Sequence, residues 1–255
     1  MNGDLFPLKQ AFGEFMERWY ASLYADTQAL TEFIQRGMRH CVKLAPGRMI
    51  DDAEAMLASY QKDQQGPRGA NALLPIVLVA MGRDYTTTGG DWAGRQTPRK
   101  MVCLTDEPGA SIYGYRQAMH DVRVQFAIIA AEEMSARSLA AQLALFFGDP
   151  GLNRRFYAKH TFGQYQLQMP VMIENPDLMF AVAGQSKTMT VLVGEITLKA
   201  VIPYLDAPKA GEDNDGTTHN PPGYPRVTSV SVQQARLGVE GLVDDDGVEW
   251  RAPQE

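Results

Sequence analysis

Met119-His120-Asp121-Val122-Arg123-Val124-Gln125-Phe126-Ala127-Ile128-Ile129 is the stretch that decides the fold class. Val122, Val124, Phe126 and Ile128 alternate with Arg123, Gln125 and Ala127. Side chains on a strand point to opposite faces in turn, so this is a strand with one buried and one mixed face. It runs directly into a helical pattern over Ala131–Phe147, where Met134, Leu139, Leu143, Phe146 and Phe147 recur at helical spacing. Glu132 and Glu133 stand in its first turn, where the helix dipole favours anions, and Gly148 supplies the stop.

Towards the N-terminus the pattern is helical. Leu8, Phe12, Phe15, Met16, Trp19, Tyr20 and Leu23 recur at spacings of three and four, with Pro7 in a first turn that tolerates it. A second run, Leu30, Phe33, Ile34 and Met38, follows a break at Asp26-Thr27. A third, opened by Asp51-Asp52, places Ala53, Met56, Leu57 and Tyr60 on one face and ends at Gly66-Pro67. From Leu73 to Met81 the period becomes that of a strand, whose early Pro75 suits a strand start or an edge. Residues 82–98 hold four Gly and no apolar run, and read as a long loop of functional length; Met101–Leu104 is a short strand.

Two further strands follow, around Tyr165–Ile173 and Met189–Tyr204. They bracket the turn-rich Glu174-Asn175-Pro176-Asp177 and Ala183-Gly184-Gln185-Ser186-Lys187. The expected fold is therefore α+β: a mostly antiparallel sheet packed by helices on one face, with a long loop and an extended C-terminal arm. The expected division is an α+β domain over 1–205, its helical part over 1–66, and an acidic Pro/Gly-rich arm over 206–255. No βαβα alternation and no internal repeat is visible.

Charge separates the same two regions. Of the 30 acidic and 24 basic side chains, the last 50 residues hold 10 and 4, leaving 20 of each in the body, so the whole formal charge of −6 lies in the arm. A neutral body with an acidic tail lacks the basic stripe that grips phosphates in a nucleic-acid binder. The arm's Pro208, Pro221, Pro222 and Pro225 lie among Gly, Asp and Asn, a composition that cannot bury enough of its own surface to offset the entropy of ordering. A strap onto neighbouring copies is the expected role. At 255 residues and 45% apolar, the chain is long enough for a sizeable core, and no stretch approaches the ~20 apolar residues of a membrane span. The opening Met1-Asn2-Gly3-Asp4-Leu5 lacks a signal peptide's basic and apolar regions, so a soluble protein that stays in the cytosol of its synthesis is expected. Cys41 and Cys103 are read as two reduced, buried thiols.

Chemistry-bearing motifs fail one by one. His40, His120, His160 and His219 show no metal-ligand spacing, and His120 reads as a strand-end histidine rather than a catalytic base. Gly184-Gln185-Ser186-Lys187-Thr188 lacks the second glycine of a phosphate loop and reads as a hairpin connection. Gly109-Ala110-Ser111-Ile112-Tyr113-Gly114 misses the nucleophile elbow by one residue and reads as a loop. Asp213-Asn214-Asp215-Gly216 and Asp244-Asp245-Asp246-Gly247 lack the first and last carboxylates of a calcium loop. Glu132 and Glu133 are neighbours on a helix and do not face each other. No enzyme, cofactor or metal is expected.

The opening helix Leu8–Leu23, the strand Asp121–Phe126, the helix Ala131–Phe147 and the closing strand Thr190–Leu198 together resemble the tail-terminator and neck proteins of tailed bacteriophages. That resemblance covers roughly residues 1–205. It implies a virion structural protein, a homohexameric ring at the end of the tail tube, in contact with tube, sheath and neck or collar, with DNA passing through the ring without specific binding. The arm exceeds what a minimal terminator needs, which leaves a baseplate or sheath-initiating ring as the alternative; an unrecognised hydrolase is the alternative of a different class. Within loop 82–98 and its flank, Arg83, Tyr85, Trp92, Arg95 and Arg99 are the expected interface residues, because they combine cations with amphipathic rings. Lys100 extends that cationic stretch, and the lumen is expected to be acidic or uncharged, with Arg83 and Arg99 turned towards protein partners.

Overall fold

The computed structural model describes residues 5–45, 73–83, 98–106, 110–149, 151, 153–174, 177–186, 189–208 and 223–224. The protein is of α+β type, a curled mixed sheet with few helices. The third expected helix, from Asp51 to Tyr60, lies outside the described residues, as do most of the long loop and most of the arm.

The chain forms two compact units, residues 1–100 with 114–206, and residues 101–113 with 207–255. In the first unit, α1 (Phe6–Ala21) opens with Pro at its first turn and buries Leu8, Phe12, Phe15, Met16 and Trp19 on one stripe. It stops at Ala21, two residues before the expected Leu23, where the Ser22 hydroxyl donates to the Trp19 carbonyl at 2.7 Å. α2 (Gln28–Arg36) is capped by Thr27, whose Oγ1 accepts from the Leu30 N–H at 3.2 Å. Gly37, at φ 81°, breaks the second expected run, so Met38 belongs to a separate short turn, α3 (Met38–Cys41). The Tyr20 hydroxyl reaches the last carbonyls of α2, Phe33 O at 2.6 Å and Ile34 O at 3.0 Å, and so ties α1 to the C-terminal end of α2.

The strands are β1 (Val42–Leu44), β2 (Ile76–Arg83), β3 (Lys100–Cys103), β4 (Ile112–Ala130), β5 (Arg155–Phe162), β6 (Tyr165–Ile173), β7 (Phe180–Ser186) and β8 (Met189–Asp206), with α4 (Glu133–Gly148) between β4 and β5. The path runs β1-β2-β4-β8-β6-β5, with β7 also on β8. Among the pairs along it, β1–β2 is parallel and β2–β4, β4–β8, β8–β6 and β6–β5 are antiparallel, in keeping with the mostly antiparallel sheet expected. β4 and β8 stay in continuous register from Ala130↔Thr190 to Gly114↔Asp206. The even-numbered Val122, Val124, Phe126 and Ile128 of β4 meet Leu192, Ile196 and Leu198 of β8 in the main core, with α1 and α4 packed in the same cluster. Phe15 sits at its centre, with ring centroids 4.9 Å from Phe156, 5.2 Å from Phe146 and 5.3 Å from Phe147. The odd face is apolar too at this end, where Ala127, Ile129 and Val191 form a second cluster with Ile76, Leu78 and Ala80.

Several expectations need correcting. The strand expected over Met119–Ile129 is the second half of a strand that begins at Ile112, so Ile112-Tyr113-Gly114 are not loop, and His120 is a mid-strand residue. Gly82 and Arg83 extend β2 rather than opening the loop. β5 is an additional strand, and Ala183 to Ser186 belong to β7 instead of a turn. Cys41 is buried as expected, but Cys103 is exposed. β7 can lie close on β8 because residue 194 is glycine: a Cβ there would meet Leu178 Cδ1, the Met179 carbonyl and Phe180 Cδ1, each at 3.0 Å.

The second unit is described by Met101–Asp106, Ala110–Tyr113, Ala207–Pro208 and Gly223–Tyr224. Ile112 and Tyr224 exchange both backbone hydrogen bonds at 2.9 Å. Gly223 presses against Ser111 and the ring of Tyr113, leaving no room for a Cβ.

Candidate interaction surface

Along the half of the β4–β8 ribbon that extends beyond Val122, polar side chains pair across the ladder. On its even face, Arg116 lies over the Tyr204 ring, 5.9 Å from Cζ to centroid, and the Tyr204 hydroxyl is 3.1 Å from His120 Nε2. His120 is half-buried, held by a tyrosine across the ladder. On the odd face, Lys199 Nζ sits 2.8 Å from Glu174 Oε1 and 3.4 Å from Asp121 Oδ1. Asp121 is almost fully buried, and the register sets it directly opposite Lys199. The hydrogen bond that the Lys199 ammonium donates to Glu174, with the charge of Asp121, pushes it above the ordinary lysine range, against the opposing effect of burial. Nearer the core, Arg123 and Glu195 form a two-point pair at 2.9 and 3.3 Å.

The ribbon also turns towards the β5–β6 hairpin. The Tyr115 hydroxyl lies 3.9 Å from Met169 Sδ, and burial raises its pKa. Pro203 and Leu205 line a mostly apolar groove of about 250 Å³ with Phe6, Pro7, His160 and Phe162.

Of the five expected interface residues, two fall among the described residues. Arg83 ends β2, where its backbone is in register with Val122. Arg99 places its guanidinium across Gly114 and its Nε 3.3 Å from Asp206 Oδ2, so it spans the rung on which Gly114 and Asp206 face each other. Arg83 and Arg99 are therefore held eight residues apart along β4, about 27 Å at ~3.4 Å per residue. Tyr85, Trp92 and Arg95 lie outside the described residues. Sequence reading missed Arg116, His120, Tyr204, Asp121 and Lys199 as a group. The signal was parity: once β4 and β8 are paired, residues whose numbers sum to 320 stand opposite one another.

Burial also raises the Tyr20 hydroxyl and the Cys41 thiol. Both groups stay protonated at neutral pH, which leaves Cys41 a packing residue that donates to Phe33 O at 3.0 Å rather than a thiolate nucleophile. Among the described residues no cluster of three His, Cys, Asp or Glu could hold a metal ion, and no helix is long and apolar enough to cross a membrane.

No family model matches the chain, and no curated protein matches it. Among solved structures, a chain from the virion of a native gene transfer agent (GTA) particle is similar at 15% identity and a TM-score of 0.22, over 73% of this chain and 92% of that one. A likeness that distant carries no function across.

Proposed function

We propose that the protein is a structural subunit of a phage-type virion, tail-terminator-like, which assembles as a ring of six copies where the tail tube meets the neck. One observation carries the reading. The β4–β8 ladder continues from Val122 to Gly114, and although β8 keeps Ala200, Ile202 and Leu205 buried there, β4 exposes Arg116 and Met119 beside the buried Ala118 and Asp121. Exposed side chains carried on an otherwise well-paired ladder are suited to contact with another subunit. The acidic arm supplies a second, sequence-level reason, since it is too polar to pack alone. Tube, sheath or collar subunits would be the neighbours, and DNA would pass a ring that has no net cationic charge to hold it.

Light scattering on the full chain, with negative-stain images, tests the assembly. Rings or stacked rings are expected; a discrete monomer at every concentration would refute the reading. Filter binding with duplex DNA at low salt is expected to show only weak retention. Tight binding that vanishes as salt rises would mark a phosphate-gripping surface and overturn the passage role.

A further inference from the structure

A different surface of the first unit shows what a partner would have to bring. β5 ends the strand path, and its alternation buries Phe156 and Ala158 while Arg155, Tyr157 and Lys159 point outward. Arg154, also exposed, precedes them. Across the hairpin Met172 stands opposite Arg155, and Met172 and Tyr157 are 54% and 47% exposed. The Arg155 guanidinium lies 4.9 Å over the Tyr157 ring. Neither β5 nor β6 contains an Asp or Glu, and the nearby Glu174, just past β6, is paired with Lys199 at 2.8 Å. The face thus offers Arg155 and Lys159 beside an aromatic ring on the edge strand and a thioether on the next strand, with Arg154 exposed just ahead of β5.

We propose that this face receives the acidic C-terminal segment of a second copy, centred on Asp244-Asp245-Asp246-Gly247-Val248-Glu249-Trp250. The proposal rests on the ring reading above and names the surface by which its copies are joined. The complementarity is specific: four carboxylates and an indole within seven residues match Arg155 and Lys159, with Arg154 ahead of the strand, beside a tyrosine and a methionine. Carboxylates on Arg154 and Arg155 make charge-assisted hydrogen bonds, and Trp250 covers Tyr157 and Met172, the kind of aromatic anchor on which interfaces depend. Duplex DNA fits this face less well. Phosphate-driven binding draws on roughly six to ten contacts along a basic stripe, and here three cations stand on a chain of charge −6.

The test is a charge swap in the full-length chain. One variant carries Arg155→Glu and Lys159→Glu; the other carries Asp244→Lys, Asp245→Lys and Asp246→Lys. Each alone should assemble at least about tenfold more weakly than the wild type in sedimentation experiments, because like charges now face each other. Mixed, they should assemble again, since each arm then meets a hairpin of opposite charge on the other protein. Unchanged circular dichroism and melting would confirm that exposed substitutions left the fold intact. If the wild type assembles and the mixture does not, the arm-to-hairpin pairing is wrong while the ring stands. If the wild type is a monomer, the ring reading fails and this pairing with it. If the hairpin variant loses duplex DNA binding at low salt but assembles normally, the face belongs to nucleic acid and the proposal is overturned.

Discussion

The two halves of the β4–β8 ribbon share one ladder and differ in almost everything else. Between Val122 and Ala130, β4 is buried on both faces apart from Arg123 and Gln125, and its even face lies in the cluster that contains α1 and α4. Between Gly114 and Asp121 the same strand carries Arg116 and Met119 exposed, His120 half-buried against Tyr204, and Asp121 buried beside Lys199. Backbone hydrogen bonding is equally satisfied in both halves, so it cannot be what divides core from surface. The division comes from the side chains: β8 keeps its apolar alternation through Ala200 and Ile202, while β4 exchanges it for charge pairs and an aromatic contact.

The sharpest way to test that division is to damage the helix-covered half. Phe15→Ala removes the ring that touches Phe12, Phe146, Phe147 and Phe156, and should cost about 3–5 kcal/mol, as large-to-small changes in packed cores do. Urea denaturation would measure it, and a loss below about 1 kcal/mol would mean that the aromatic cluster is not the centre of stability.

Next in size is the polar half's buried charge. Lys199→Met leaves the nearly buried Asp121 without its cross-strand cation and should cost about 2–3 kcal/mol. The double variant with Asp121→Asn should lose less than the two single changes together, because it removes the charge as well as its partner. The pH dependence has a definite sign. Lys199 binds its proton more tightly folded than unfolded, so its contribution is fully present below the ordinary lysine value of 10.5 and is lost as pH rises through the higher folded value. The stability gap between wild type and Lys199→Met should therefore hold steady at neutral pH and narrow only in strong alkali.

What the sequence disclosed follows the same line. The alternation of Val122, Val124, Phe126 and Ile128 is legible because apolar and polar residues contrast at every step, and so are α1 and α4, whose stripes repeat at helical spacing. Tyr113-Gly114-Tyr115-Arg116-Gln117-Ala118 has no such contrast, and read in isolation it resembles loop even though it is strand. β5 was missed for a related reason: Phe156, Ala158, His160 and Phe162 do alternate, but Arg155, Tyr157, Lys159 and Thr161 between them disguise the run as polar surface. Cross-strand partners such as Asp121 and Lys199 are 78 residues apart, and only the register brings them together.

A smaller effect probes how α2 is fastened to the helix-covered half. Thr27 caps α2 at the Leu30 N–H and also lies 3.0 Å from the Ser135 hydroxyl on α4. Thr27→Ala should cost about 1 kcal/mol, the usual worth of an N-cap, and Thr27→Ser should restore most of it. If serine fails to restore stability, the threonine methyl rather than its hydroxyl is the important group.

The smallest effect is expected at the far end of the ribbon, where the comparison can be broken from the other side. A Cβ at Gly114 would occupy the space of the Arg99 guanidinium. Arg99 is half-exposed and can move, but in doing so it leaves Asp206, 3.3 Å away. An exposed pair of this kind is worth about 0.2–1 kcal/mol, and replacing a glycine of ordinary backbone conformation by alanine returns about 0.4–1 kcal/mol through the unfolded chain. Gly114→Ala should thus leave the melting temperature within about 2 °C of the wild type, whereas assembly or partner docking should weaken if Arg99 serves the contact expected of it. Arg99→Ala should show the same division between stability and association. A loss of several kcal/mol in either variant would show that the ribbon's end is built as tightly as its core, and that its polar side chains are structural rather than reserved for a partner.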